Sequence, residues 1–217
     1  MTAVPGAIQQ RDKTTWAMKP RAPMGIVTPD ELRRIADAAA AHDVHALKIT
    51  SGQRLILLGI PEDRLASLQE ALGPMGQLCR NYVQACPGTD HCSHAVQDSL
   101  AMGRQLEALV FGREFPAKVK LGVSACPFCC AESQVRDIGL VGRRKGWHVY
   151  VGGNSGTKPR VADLLATDLS DADALDLVRR FLDHYAATCV GKVRVARFVQ
   201  QQGLEAIRTA LGLPAPA

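Results

Sequence analysis

The stretch KVKLGVSACPFCCAESQVRDIGLVG, residues 118–142, decides how the second half of the chain folds. Its first seven residues alternate like a strand, and this strand delivers the first cysteine of the stretch to its end. A second motif, CPGTDHC, lies upstream at 86–92, and 33 residues separate the two cysteine pairs. Four thiolates that converge in an ordinary globular protein indicate a metal centre, since thiolate is a soft ligand. The candidate ligands are Cys86, Cys92, Cys126 and Cys130.

The spacing of these cysteines favours an iron–sulfur cluster over a structural zinc. Zinc sites prefer two to four residues between neighbouring ligands, and the five residues between Cys86 and Cys92 exceed that. A cubane tolerates wider spacings because it has four separate corners to satisfy. Spacing alone leaves zinc open, and it also leaves open whether Cys129 or Cys130 is the fourth ligand.

Composition limits the class of protein and its surroundings. The 217 residues suit one large domain or two small ones, and 47% apolar with 22% charged residues is ordinary for a globular protein. No apolar run approaches the ~20 residues of a membrane span, and the N-terminus MTAVPGAIQQRDK does not resemble an export signal. Seven cysteines without such a signal favour reduced thiols and metal ligation. We therefore expect a cytoplasmic protein without a membrane partner.

The net charge of +5 does not indicate a nucleic-acid partner. No basic run is interleaved with aromatic residues, which make up only 5% of the chain. Basic residues instead recur beside the cysteine motifs, and this distribution suits an anionic cofactor or small anionic substrates.

The first part of the chain predicts a compact α+β half-domain over residues 25–84. Thr28 followed by Pro29 is typical of a helix N-terminus. The predicted elements are a helix from 28 to about 41, strands near 45–50 and 54–59, a helix at 61–73 and a strand near 77–84. Residues 1–24 are expected to form an N-terminal arm, because residues 1–22 show little periodicity.

Residues 85–217 predict a second, larger domain that ends in helices. Its predicted elements are a helix at 93–111, a strand at 118–124, a short helix at 129–135, a strand pair at 138–142 and 147–151, a helix at 171–187, and one or two helices over 193–211. Residues 213–217 are expected to be loosely packed. No internal repeat is visible, which agrees with a single copy of the half-domain.

Residues 118–142, together with GWHVYVGGNSGTKPR at 146–160, resemble the iron–sulfur and sirohaem domain of nitrite and sulfite reductases. LKITSGQRLILLGI at 47–60 resembles the strand pair that contacts sirohaem in that family, and CRN at 79–81 resembles its Arg-Asn step. The resemblance implies an α+β fold, with a ferredoxin-like half-domain followed by an α/β iron–sulfur and sirohaem-binding domain. It is nearest to the small single-chain sulfite reductases of anaerobic microbes.

The resemblance also implies the cofactors and the metal ligands. A [4Fe-4S] cluster would be held by Cys86, Cys92, Cys126 and Cys130, and Cys130 would bridge the cluster to the sirohaem iron. The sequence departs from the family at Phe128 and Cys129, where small residues are usual, and at Ala125, which replaces a common glycine. Family members usually carry two copies of the half-domain around the sirohaem, and this chain has room for one.

A set of basic and polar residues is expected to hold the substrate and the sirohaem carboxylates. Lys118 and Lys120 are two apart on the predicted strand and so share a face, at the place where the family has its two substrate-side lysines. The alternative is that they form only a solvated strand face. Arg80 and Arg54 are the further candidate catalytic residues, since guanidinium suits oxyanion contact. The candidate cofactor contacts are Cys130, Gln53, Lys48, Arg54, Arg80, Asn81, Arg21, Asn154 and Arg160.

The function implied by the resemblance is the six-electron reduction of sulfite to sulfide. No flavin or nicotinamide domain fits in the chain, so a separate carrier such as a ferredoxin or flavodoxin is expected to supply the electrons. Two alternatives stay open: nitrite reduction to ammonia by the same cofactors, and a non-catalytic electron-transfer protein that holds only the [4Fe-4S] cluster. The basic residues named above favour catalysis, because an electron carrier needs no anion pocket.

Overall fold

The computed structural model describes residues 4–76 and 80–214. The chain forms two compact units, Met1–Arg80 and Asn81–Ala217. Within the described residues, none of the helices has both the length and the apolar character that a membrane crossing requires.

The first unit is a four-stranded antiparallel sheet covered by two helices. The strands are β1 (Ile8–Gln9), β2 (Thr15–Met18), β3 (Ala46–Ile49) and β4 (Leu55–Pro61), in the order β1-β2-β4-β3. The helices are α1 (Pro29–Ala41) and α2 (Leu65–Ala71). Fully buried side chains from both layers, such as Leu57 and Ile60 of the sheet and Ile35 and Leu68 of the helices, form one core. This burial supplies the main stabilisation of the unit.

The start of α1 is fixed by its own residues, as the sequence predicts. The Glu31 backbone N–H donates to the Thr28 hydroxyl at 3.2 Å, and the Thr28 N–H donates to the Glu31 carboxylate at 2.8 Å. This reciprocal capping box satisfies two of the free donors at the helix start, and Pro29 occupies the first turn, where no N–H partner is needed.

The expectation of an N-terminal arm over residues 1–24 is wrong for its described part, residues 4–24. The chain pairs β1 with β2 and β2 with β4, and Met18 and Ala22 belong to the buried core. The pairing partner of Thr15 is Pro61, so the strand is stabilised by a distant segment and not by local periodicity.

The second unit is a mixed five-stranded sheet with four helices. The strands are β5 (Tyr82–Ala85), β6 (Lys120–Ser124), β7 (Ile138–Arg143), β8 (Gly146–Val151) and β9 (Asp163–Leu169), in sequential order across the sheet. Strands β5, β6 and β7 are parallel, whereas β8 and β9 continue the sheet antiparallel. The helices are α3 (Ser99–Val110), α4 (Asp171–Thr188), α5 (Val195–Gln202) and α6 (Leu204–Ala210).

Several predicted elements of this unit need correction. The helix expected at 93–111 begins only at Ser99, because the Asp98 carboxylate caps it and accepts the N–H groups of Leu100 and Ala101. The helix expected at 129–135 is a single 3-10 turn at Ser133–Val135. Strand β9 was not predicted. The strand expected near 77–84 is observed only from Tyr82, where β5 begins. Residues 77–79 lie outside the described residues.

Candidate metal centre and anion site

The two cysteine pairs lie at one edge of the sheet because β5 and β6 are parallel. Tyr82 pairs with Lys120 and Ala85 with Val123, so both strands end at the same level. Cys86 follows the end of β5 directly, and Cys126 follows β6 after one residue. Both are buried, with 7% and 6% of their surface exposed. The sheet therefore brings together two cysteines that are distant in sequence.

The thiols are close enough to influence one another electrostatically. The pKa of the Cys130 thiol is raised, first by partial desolvation and then by the neighbouring thiols of Cys86, Cys126, Cys92 and Cys129, in that order. Cys130 is nonetheless the exposed member of the group. An exposed sulfur beside buried ones suits a ligand that faces a second cofactor.

The thiols do not form a compact site for a single ion among the described residues. Among residues 4–76 and 80–214, no three His, Cys, Asp or Glu side chains converge tightly enough to hold one metal ion. A zinc ion needs four ligands within about 2.3 Å of a single point. A cubane has four separate corners, so its ligands do not have to meet at one point.

The sulfur of Cys86, a candidate ligand, has polar groups around it that suit a thiolate. The Ala125 backbone N–H donates to the Cys86 sulfur at 3.1 Å, and the Ser99 hydroxyl lies 3.3 Å from the same sulfur. The Ser99 hydroxyl also donates to the Cys86 carbonyl at 2.9 Å. Hydrogen bonds to ligand sulfurs stabilise their negative charge and raise the reduction potential of a cluster.

Two paired glycines hold the loop that carries Cys130. Gly122 of β6 and Gly139 of β7 are register partners. A Cβ atom at Gly122 would lie 3.0 Å from the Ala131 carbonyl oxygen, and one at Gly139 would lie 2.0 Å from the Ser133 carbonyl oxygen. The loop therefore folds back onto β6, and the Ala131 N–H donates to the Ser124 hydroxyl at 3.1 Å.

Gly139→Ala is expected to expel this loop from its groove. The added methyl group would overlap the Ser133 backbone, which cannot move aside as a flexible side chain can. We expect loss of most of the bound iron and labile sulfide, with the far-UV circular dichroism of the sheet retained. Ala125→Gly, a change on the same loop that adds no atom, is the matched control and should keep the cluster. Full cluster content in Gly139→Ala would show that the groove is not required.

Cys129 lies in the same loop but is placed differently from Cys130. Its backbone is left-handed, with φ of 56°, and its side chain packs against the buried residues Val141, Tyr150 and Ala162. Non-glycine residues adopt this conformation at a cost. The geometry supports Cys130 as the fourth ligand and makes Cys129 a packing residue.

Cys129→Gly is accordingly expected to leave the cluster intact. Glycine adopts the left-handed conformation without strain, which compensates for the small apolar contact that is lost. Iron and labile sulfide content per chain should equal that of the wild type, and Cys129→Ser should behave alike. A cluster that is lost in Cys129→Gly but kept in Cys130→Ser would reverse the ligand assignment.

The predicted lysine pair lies on the face of β6 that carries the loop. Around the start of β6, buried Ala117, Val119 and Leu121 alternate with half-buried Lys118 and Lys120. Lys118 precedes the strand, which begins at Lys120 and not at residue 118 as expected. Gly122, which lies beneath Ala131, is two residues from Lys120, or roughly 7 Å along the strand. The fold thus places the lysine side of the strand near the Cys130 loop.

Two contacts fix the lysine pair. The Lys118 ammonium lies 4.9 Å from the centroid of the Tyr82 ring. The Lys120 backbone N–H donates to the Asp137 carboxylate at 2.8 Å, and the Arg194 guanidinium donates to the same oxygen at 2.6 Å. Burial of Asp137 raises the pKa of its carboxyl, whereas Arg194 opposes that shift. The start of β6 is therefore held to β7 by a buried charged group.

Three predicted cofactor contacts have structural bonds of their own. Asn81 donates to the Arg113 carbonyl at 3.0 Å and accepts the Val119 N–H at 2.9 Å. Asn154 donates to the Lys158 carbonyl at 2.7 Å and accepts the Gly156 N–H at 3.1 Å. Arg160 donates to the Gly152 carbonyl at 2.8 Å and pairs with Asp163 at 2.5 Å. These side chains shape the loops around the site, and their contact with a cofactor stays a prediction.

The remaining predicted contacts belong to the first unit. Lys48 pairs with Ile56 in the β3–β4 ladder, and strand alternation places Arg54 on the same sheet face as Lys48, opposite the Leu57 core. Gln53 has a left-handed φ of 54° in the turn before β4. The Arg21 backbone N–H donates to the Met75 carbonyl at 2.8 Å. Arg80, at the end of the unit, is exposed.

A further cation in this unit was missed by the sequence analysis. Desolvation, and then the charge of Arg54, lowers the pKa of Lys19. Arg54 is itself only 8% exposed. Lys19 and Arg54 repel each other, and partial desolvation strengthens this repulsion. A bound anion would reduce it, so the pair suits anion binding.

Other residues of the site also went unrecognised in the sequence. Ser99 lies beyond the cysteine motif and is joined to Cys86 only by the fold. Gly122 and Gly139 did carry a signal, because a glycine inside a predicted strand indicates close approach of another backbone.

Two family models match this chain and together span almost all of it. The nitrite and sulphite reductase 4Fe-4S domain matches residues 77–216, and the nitrite/sulfite reductase ferredoxin-like half domain matches residues 8–75. The fold and the cysteine centre thus define a 4Fe-4S redox protein. The chain belongs to the nitrite and sulfite reductase family.

Individual relatives refine this placement. The chain is 48% identical over 210 residues to an assimilatory-type sulfite reductase of Nitratidesulfovibrio vulgaris, covering 95% of this chain and 96% of that protein. It is 35% identical to a nitrite reductase [NAD(P)H] of Bacillus subtilis, covering 92% of this chain but only 25% of that protein. The structure of the Mycobacterium tuberculosis NirA protein superposes with a TM-score of 0.79 at 15% identity, over 96% of this chain and 44% of that one.

The family implies a [4Fe-4S] cluster and sirohaem, and the residues present fit both groups. For the cluster, the fit rests on the closeness of the cysteine thiols to Cys130 and on the N–H bond to the Cys86 sulfur. For sirohaem, which carries eight carboxylates, it rests on the adjacent cations Lys19 and Arg54. The residues that would hold the cluster are Cys86, Cys92, Cys126 and Cys130.

Proposed function

We propose that this protein reduces sulfite to sulfide by six electrons. The observation that carries the proposal is the 48% identity to an assimilatory-type sulfite reductase that the chain matches over nearly its whole length. The matched nitrite reductases of Bacillus subtilis and Escherichia coli are 35% identical, and the chain spans about a quarter of each. Further support comes from the site itself, which combines a cysteine centre with nearby cations.

The four cysteines would hold the cluster, and Cys130 would lie between the cluster and the sirohaem. Cys130 is suited to that place because it is exposed whereas Cys86 and Cys126 are buried. Bound sirohaem would supply the iron at which the sulfur anion is reduced. The Ala125 N–H that donates to the Cys86 sulfur would stabilise the reduced, more negative cluster.

Lys118 and Lys120 of the second unit would bind the anion, and Arg80 and Arg54 of the first unit stay further candidates for anion contact. Ammonium groups directed at sulfite oxygens stabilise negative charge and can donate protons as the S–O bonds break. Support comes from the position of the lysines on the loop-covered face of β6, and from the Tyr82 and Asp137 contacts that fix them. Gln53, Lys48, Arg21, Asn81, Asn154 and Arg160 are proposed to contact the cofactor.

The electrons would come from a separate carrier such as a ferredoxin or flavodoxin. The two matched domains account for residues 8–75 and 77–216, and neither is a flavin or nicotinamide domain. Electrons therefore enter these domains from a donor outside them. A cytoplasmic location is part of the same proposal.

Nitrite reduction to ammonia is the second candidate, favoured by the matches to nitrite reductases. Both are tested with anaerobically purified protein and chemically reduced methyl viologen as the donor, measuring sulfide from sulfite and ammonium from nitrite. We expect the larger kcat/KM with sulfite. A larger value with nitrite would assign the second function, and a full cluster without sirohaem and without turnover of either anion would favour the electron-transfer alternative.

A further inference from the structure

We propose that Tyr82 is a positioning residue that holds the Lys118 ammonium in place for anion binding. This inference rests on the proposed function, since it assumes that Lys118 contacts the substrate. Tyr82 lies in neither cysteine motif and was not singled out in the sequence. Its role follows from its place in the sheet.

The geometry brings the Tyr82 ring against Lys118, on the sheet face that also carries Lys120. The Lys118 Nζ lies 4.9 Å from the ring centroid, within the range of a cation–π contact. Tyr82 is also the register partner of Lys120 in the parallel β5–β6 ladder, so these two side chains project from the same sheet face. Strand alternation puts Lys118 on that face as well.

The ring is fixed more firmly than the lysine it contacts. Tyr82 is 8% exposed, and its backbone N–H donates to the Val119 carbonyl, which joins it to the residue between the lysines. Lys118 is half-buried, on a flexible four-carbon stem. A rigid ring face attracts the ammonium through its quadrupole. Because this contact already restricts the rotamers of Lys118, the side chain loses less conformational entropy when it binds an anion.

Two substitutions separate the ring from the hydroxyl. Tyr82→Phe keeps the ring face and should behave as the wild type, whereas Tyr82→Leu removes it. We expect Tyr82→Leu to raise the KM for sulfite roughly fivefold, the size of a cation–π contact at a partly exposed site, with a smaller change in kcat. Rates are normalised to bound sirohaem, and cofactor content and thermal midpoint are measured for every variant.

A double-mutant cycle tests whether the effect acts through Lys118. In a Lys118→Ala background, Tyr82→Leu should have no further effect on KM, because the contact is already gone. Additive effects would overturn the inference, as would equal losses in Tyr82→Phe and Tyr82→Leu. Wild-type turnover of Lys118→Ala alone would instead contradict the proposed function, so the two failures are distinguishable.

A chemical readout that does not depend on turnover completes the test. The Tyr82 ring shields one side of the ammonium, so Lys118 should react slowly with an amine-labelling reagent. Site-resolved mass spectrometry should find faster labelling of Lys118 in Tyr82→Leu and unchanged labelling in Tyr82→Phe. Lys145, exposed in the β7–β8 turn, is the internal reference. Unchanged Lys118 labelling in Tyr82→Leu would overturn the inference.

Discussion

Cys86→Ser is expected to abolish the cluster and to destabilise the second unit. Cys86 is buried at the end of β5 and its sulfur accepts the Ala125 N–H, so the substitution removes a ligand and leaves a polar donor poorly satisfied. Metal binding and folding are coupled at such centres. We expect loss of most of the iron and labile sulfide, and a fall in thermal midpoint of roughly 10 °C, or about 3 kcal/mol.

The same loss of iron and sulfide is expected for Cys92→Ser and Cys126→Ser. Cys189→Ser is the matched control, because this half-buried thiol follows α4 and is not among the thiols that influence Cys130. Iron and labile-sulfide assays with differential scanning calorimetry check the result. A full cluster in any of the three ligand variants would contradict the assignment of that ligand.

Lys118→Ala and Lys120→Ala are each expected to lower sulfite reduction about 100-fold, as for other preorganised donors that stabilise developing charge. Neither lysine is a proposed metal ligand, so cluster and sirohaem content should be kept. The measurement is turnover with reduced methyl viologen, normalised to bound sirohaem. Lys145→Ala, an exposed lysine of the same unit, should be unaffected.

Wild-type turnover in both lysine variants would show that these residues form only a solvated strand face. The anion pocket would then have to be sought among the arginines. Arg80→Ala and Arg54→Ala are less decisive, because guanidinium groups proposed to hold carboxylates of the cofactor can reduce its occupancy when removed.

Elements that depend on local interactions could be predicted from the sequence. Helix α1 begins where Thr28 and Glu31 cap it, and the β7–β8 hairpin and α4 lie close to their predicted bounds. The association of the cysteine pairs also followed from their chemistry, and parallel pairing of β5 with β6 explains it.

Elements that depend on distant contacts could not be predicted. Strand β2 exists because it pairs with β4, about 40 residues away in sequence. Residues 129–135 resemble a short helix in composition, yet Cys129 and Glu132 have φ of 56° and 53°. Packing onto Gly122 and Gly139 fixes this loop, and no pattern within residues 129–135 encodes it.

The central claim is that four cysteines of this chain hold a [4Fe-4S] cluster beside sirohaem. The most direct test is an absorption spectrum of anaerobically purified protein together with its iron, zinc and acid-labile sulfide content. We predict a Soret band with a long-wavelength isobacteriochlorin band, and iron to sulfide of about five to four, from the cluster and the sirohaem iron. Bound zinc without labile sulfide or a Soret band would contradict the account.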